Sequence, residues 1–205
     1  AAGMVMISPS NTSPALTSDL AGTAGDNYHA GYYRTAHNDL FQGAAMAKFV
    51  HDELGITAAA AIHDGDPYTQ GLAQAFADAF EGLGGTVTGF TGVNKEDTDM
   101  VPVLTEIAAG SPGALFFPIF QPAGDLVADQ APGVSGLEGT VLLGADGLQV
   151  QSFMELSQAD GMYLSGPDLR YGSNTNQSTG ATAEKFLADY ESNNGNPPEA
   201  PFWAH

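Results

Sequence analysis

The chain has 205 residues, room for one α/β unit or two modest lobes, and at 43% hydrophobic and 14% charged residues it has the composition of a folded protein, not a disordered one. Its 24 acidic against 5 basic residues give a formal charge of −19, which repels phosphate backbones and anionic lipid surfaces, so nucleic acid is not an expected partner. No cysteine is present, which removes disulfides, thiolate metal sites and a Cys nucleophile. No apolar run reaches the length of a bilayer-spanning helix, so direct membrane insertion is not expected.

In chain order, Val5-Met6-Ile7 reads as a short strand, and the Ser8-to-Pro14 stretch of small, polar and Pro residues reads as a rigid loop. A helix with Phe41, Ala45, Phe49 and Val50 on its inner face precedes a strand over Ala58 to Ile62. Leu72, Ala75, Phe76, Ala79, Phe80 and Leu83 recur at the 3.6-residue period of a second helix, closed by Gly84-Gly85. Val87 to Phe90 is the next strand. Asp97 is placed to cap the helix that carries Met100, Val103, Leu104 and Ile107, and Gly110-Ser111-Pro112-Gly113 ends it. Strands over Ala114 to Phe117, Thr140 to Leu143 and Met162 to Leu164 follow, and Phe186, Leu187 and Tyr190 mark a last helix. Short, mostly apolar strands alternating with amphipathic helices predict an open parallel α/β sheet, covered by helices on both faces. The abrupt start, and the apolar run Pro201-Phe202-Trp203 just before the last residue, give the expectation that both ends are cut from something larger.

Enzymatic motifs are thin. Neither a phosphate-binding Gly-rich loop nor Gly-x-Ser-x-Gly occurs, and His29, His37, His51, His63 and His205 lack metal-ligand spacing, so no catalytic residue, metal or cofactor is assigned. His63 sits at a strand end, where a structural or rim role outweighs acid/base chemistry. The informative positions are other strand ends. Tyr68 follows the Ala58–Ile62 strand, Phe120 the Ala114–Phe117 strand and Asp146 the Thr140–Leu143 strand. An open α/β sheet keeps its ligands at such ends, so two aromatic walls and one anion could face a small amphiphile with a cationic group. The alternative is three loop residues with no common target.

Several segments together resemble one family. Met6 to Thr17 (Met-Ile-Ser-Pro-Ser-Asn-Thr-Ser-Pro-Ala-Leu-Thr), Tyr33-Arg34-Thr35-Ala36, Gln42-Gly43, His63-Asp64 and Tyr68-Thr69-Gln70-Gly71 are similar to the leucine/isoleucine/valine-binding family of type I periplasmic binding proteins, nearly end to end. The resemblance implies a bilobed α/β fold of parallel sheets flanked by helices, with the ligand between the lobes, present here as a partial chain covering mainly the second lobe. It implies that residues 1–33 end the first lobe and hold a ligand-binding loop, that 34–39 cross the hinge, that 40–195 form the second lobe, and that 196–205 begin the return.

Matched residue by residue, the resemblance places Ser10 and Thr12, with Asn11 between them, at the carboxylate and ammonium of an amino acid. Tyr68 and Phe120 fall on aromatic walls, and Asp146 falls on the acid that pairs with the ammonium, one methylene shorter than the Glu usual there. The implied function is a non-enzymatic receptor that hands a small, apolar amino acid to the membrane permease of an ABC transporter. The implied location is periplasmic or extracellular, with lipid anchoring through a preceding N-terminus as one option. The alternative is a ligand-sensing regulatory domain of the same fold for an amide or carboxylate solute, which a fused kinase, channel or DNA-binding segment would mark.

Overall fold

The computed structural model describes residues 3–17, 31–167 and 180–197. The chain divides into two compact units: Asn38–Gly166, and a second made of Ala1–His37 with Pro167–His205. The first of these ends well before residue 195, to which the expected second lobe extends.

In the unit formed by the two chain ends, β1 (Met6–Ser8) pairs in parallel with β2 (Tyr32–Arg34), Ile7 opposite Tyr33 and Ser8 opposite Arg34. The strand lies one residue later than the Val5-to-Ile7 run. The expected rigid loop follows it, and its order comes from side chains. Ser8 Oγ accepts from the backbone N–H of Asn11 at 3.0 Å, closing a local Ser turn. Arg34 Nη1 donates to the carbonyl oxygens of Ser13 and Asn11 at 2.7 and 3.3 Å, and its Nη2 donates to Thr17. The last helix of the chain, α6 (Gly180–Asn194), belongs to this unit too.

The Asn38–Gly166 unit holds α1 (Asp39–Lys48), β3 (Ala58–His63), α2 (Pro67–Gly82), β4 (Thr86–Gly92), α3 (Val101–Ala108), β5 (Ala114–Phe116), α4 (Ala123–Gln130), β6 (Val141–Gly144), α5 (Gln151–Met154) and β7 (Tyr163–Leu164). All five expected strands of this unit are present and pair in parallel in the order β4-β3-β5-β6-β7. Successive side chains of a strand point to opposite faces, and the sequence uses this to build two cores. Ala60, Ile62, Leu115, Phe117 and Leu142 face α3 and α4, whose Leu104, Ile107 and Val127 are buried there. Ala59, Ala61, Ala114, Phe116 and Leu143 face α1 and α2, where Phe76 lies 4.8 Å from Phe116 and stacks on Phe80 at 5.6 Å. Each such fully buried aromatic or branched side chain contributes about 1.5–3 kcal/mol relative to exposure.

Two local expectations fail. Phe41 and Ala45 do not face the core: Phe41 is 73% exposed, and α1 buries Gln42, Gly43, Met46 and Ala47 instead, with Val50 on its π-helical extension Phe49–Glu53. The reason is close packing of α1 on α2, since a Cβ on Gly43 would lie 2.7–2.8 Å from Phe76 N and Ala75 atoms. The backbone of α1 therefore approaches α2 at Gly43, with Met46 and Ala47 buried in the next turn and Phe41 turned outward. Asp97 does not cap α3 either. The helix starts later, at Val101, and it is Asp99 Oδ1 that accepts from the Val101 N–H at 3.0 Å, while Asp97 is held by Asn94.

Candidate ligand-binding site

The strand order fixes where a site can form. From β3 the chain crosses to the edge strand β4, then returns past β3 to β5, so the winding reverses between β3 and β5, and ligands of open α/β sheets bind outside the carboxyl ends at such a reversal. Tyr68, Phe120 and Asp146 follow the carboxyl ends of β3, β5 and β6, and the structure brings all three together.

Tyr68 is fixed by its helix start. Asp66 caps α2 by accepting from the Tyr68 N–H at 2.9 Å and Pro67 takes the first helical position, which leaves the phenol projecting from the first turn. Its hydroxyl donates to Asp146 Oδ1 at 3.0 Å. Burial, the Asp146 charge and the hydrogen bond to it, and the charge of Asp39 all push the phenol's pKa well above the usual tyrosine range, so it remains a donor.

Phe120 follows the buried Ile119 and is itself 49% exposed, its ring 5.4 Å from that of Tyr68 and tilted by 41°. Gly147 makes room for it, because a Cβ there would lie 2.7 Å from the Phe120 ring. Asp146 opens a short 3₁₀ turn, Asp146–Leu148, seated by the buried Leu148.

Gln42 and Ser165, neither of them assigned a ligand role from the sequence, complete the group. Gln42, buried on α1, donates from Nε2 to Asp146 Oδ1 at 2.6 Å, and to Ser165 Oγ and the Ser165 carbonyl at 3.1 and 3.2 Å. Asp146 Oδ1 thus takes two protein donors, whereas no donor among the described residues reaches Oδ2. The site presents a carboxylate clamped by one oxygen, with the other oxygen open beside an apolar, half-exposed ring. Among the described residues no group of three His, Asp or Glu side chains is arranged to hold a metal.

Ser10, Asn11 and Thr12 lie in the other unit. Ser10 and Asn11 are exposed, with their backbone N–H groups directed at Ser8 Oγ, while Thr12 is 6% exposed and its hydroxyl finds no hydrogen-bond partner among the described residues.

Comparison with known proteins agrees with this fold. The periplasmic binding protein family model matches residues 1–204, and the chain belongs to that family, one of binding proteins and not enzymes. It is 29% identical over 146 residues to Leu/Ile/Val-binding protein homolog 3 of Brucella melitensis, covering 71% of this chain and 37% of that protein. It is 28% identical over 132 residues to the leucine-, isoleucine-, valine-, threonine- and alanine-binding protein of Pseudomonas aeruginosa, covering 63% of this chain and 32% of that one. Among solved structures, the leucine-binding protein LivK of Thermotoga maritima superposes with a TM-score of 0.76 at 26% identity, over 98% of this chain and 53% of its own. The fold is also that of LivJ from Streptococcus pneumoniae in complex with isoleucine, at a TM-score of 0.71 and 21% identity, over 98% of this chain and 53% of its own. The chain thus spans about half the length of the solved relatives and less of the curated ones. The Streptococcus protein is a branched-chain amino acid transporter substrate-binding protein. No helix among the described residues is long and apolar enough to cross a membrane.

Proposed function

We propose that the intact protein is the solute receptor of an ABC transporter and binds a zwitterionic amino acid with an apolar side chain, of the branched-chain type, between its lobes. The observation that carries this reading is the half-satisfied carboxylate of Asp146, held through Oδ1 by Tyr68 and Gln42 with Oδ2 open. An ammonium group leaving water needs an anionic acceptor, and a carboxylate already oriented by two donors meets it with little reordering. Tyr68 and Phe120 form the wall against which the ligand's apolar side chain lies, each buried methylene adding about 0.8 kcal/mol. Ser10, Asn11 and Thr12 meet the α-carboxylate through their side chains, since Ser10 and Asn11 already spend their backbone N–H groups on Ser8 Oγ, and the Thr12 hydroxyl has no hydrogen-bond partner among the described residues.

The names of the Brucella and Pseudomonas relatives support the ligand class. In this reading, lobe closure about the 34–39 crossing is what the permease recognises, and the protein works in the periplasm or at the outer cell surface. Native mass spectrometry of the intact protein as purified tests the reading. A retained mass of a branched-chain or similar amino acid is expected, and a retained sugar or amine-free acid in its place would overturn it.

A further inference from the structure

We infer that Gln42 is a positioning residue for ligand recognition: its side-chain amide sets the direction in which Asp146 presents its open oxygen. The inference rests on the reading of Asp146 as the partner of the ligand's ammonium. Gln42 is the fourth residue of α1, beside Gly43, and is 5% exposed. A polar side chain so deeply buried must be hydrogen-bonded, and its surroundings leave one choice of orientation. Asp146 Oδ1 at 2.6 Å and the Ser165 carbonyl at 3.2 Å can only accept, so it is the NH2 end of the amide that faces them.

The two amide hydrogens are then divided. One goes to the carboxylate, and the other is shared between the carbonyl and the hydroxyl of Ser165, just beyond the end of β7. Gln42 is therefore a prop held at both ends. Its backbone is fixed by α1 on α2, where Gly43 allows a contact that any side chain would open, and its amide is fixed by Ser165. Tyr68 alone would leave the Asp146 carboxylate free to pivot about the single Oδ1 contact. Two donors from different elements, α1 and α2, remove that freedom, so that Oδ2 points to one place.

Gln42→Met keeps the length and volume of the side chain and removes both donors. In the intact protein, calorimetry with leucine and with its amine-free analogue 4-methylpentanoate, beside Asp146→Asn as reference, tests the inference. Gln42→Met is expected to weaken leucine binding roughly ten-fold, as the loss of a hydrogen bond to a charged group does, and to leave 4-methylpentanoate binding unchanged, so that the preference for the amine shrinks. Equal weakening of both ligands would mean a structural role only, and no change in either would also overturn the inference. If Asp146→Asn itself leaves the amine preference intact, the ammonium reading fails, whatever Gln42 does. Should Gln42→Met not fold, Gln42→Asn, whose amide is one methylene too short to reach Asp146, reads the same ratio with the same outcomes.

Discussion

The phenol of Tyr68, in the first turn of α2, donates to Asp146 Oδ1 across 3.0 Å and so joins the ends of β3 and β6, two strands that do not touch because β5 lies between them. Burial and the neighbouring carboxylates raise the phenol's pKa above its ordinary value of 10.0, so the folded protein holds this proton where the unfolded chain releases it. The sign follows directly. The folded state binds more protons above pH 10, so this contribution to stability is intact below that pH and is lost as pH rises beyond it. Tyr68→Phe should therefore flatten the fall in melting temperature between about pH 9.5 and 11 relative to the native protein. It should also weaken amino-acid binding about five-fold through loss of one donor to Asp146. An unchanged alkaline limb would show that the phenol is not buried against the carboxylate.

The sheet was legible because five short apolar runs leave only a strand covered on both faces as an explanation, and the strand-end rule then singled out Tyr68, Phe120 and Asp146. Gln42 was not legible as a site residue. It sits in a helix whose large apolar letters, Phe41 and Phe49, suggest a different inward face, and only the close approach at Gly43 turns the helix so that a glutamine is buried. Ser165 carries no signal at all, since its part comes from a carbonyl and a hydroxyl at the end of a two-residue strand. The Asp97 cap failed for a simpler reason. The helix begins at Val101 behind Met100, so neither aspartate takes the cap position, and Asp99, nearer the start, accepts from the Val101 N–H in place of Asp97.

Gly43→Ala should be costly, although alanine is the better helix former. The new Cβ would sit 2.7–2.8 Å from Phe76 N and the Ala75 carbonyl carbon and Cβ, two of them backbone atoms that cannot rotate away. Separation of α1 from α2 is expected to cost about 1–3 kcal/mol, seen as a fall of several degrees in melting temperature. An increase would mean that the helices are not in contact at this point.

The formal charge of −19 predicts a salt-dependent fold. Raising NaCl from about 0.01 to 1 M shortens the screening length from about 30 to 3 Å and relieves self-repulsion among the carboxylates. The melting temperature should rise across that range. A flat or falling curve would show that the acidic side chains are too dispersed to repel one another appreciably.

The most direct test of the central claim, that Asp146 reads the ammonium, is the calorimetric dissociation constant of leucine for Asp146→Asn and for Phe120→Leu in the intact protein. Asp146→Asn leaves a desolvated ammonium without its anion, a loss that reaches about 3–5 kcal/mol when one partner of a buried pair is removed. Phe120 is 49% exposed and its replacement keeps an apolar wall, which costs below about 1.5 kcal/mol when volume is nearly conserved and somewhat more here, where it is not. The expected result is a clearly larger defect for Asp146→Asn. A defect in Phe120→Leu equal to or greater than it would contradict the account, and would mean that the site recognises an apolar shape and not a charge.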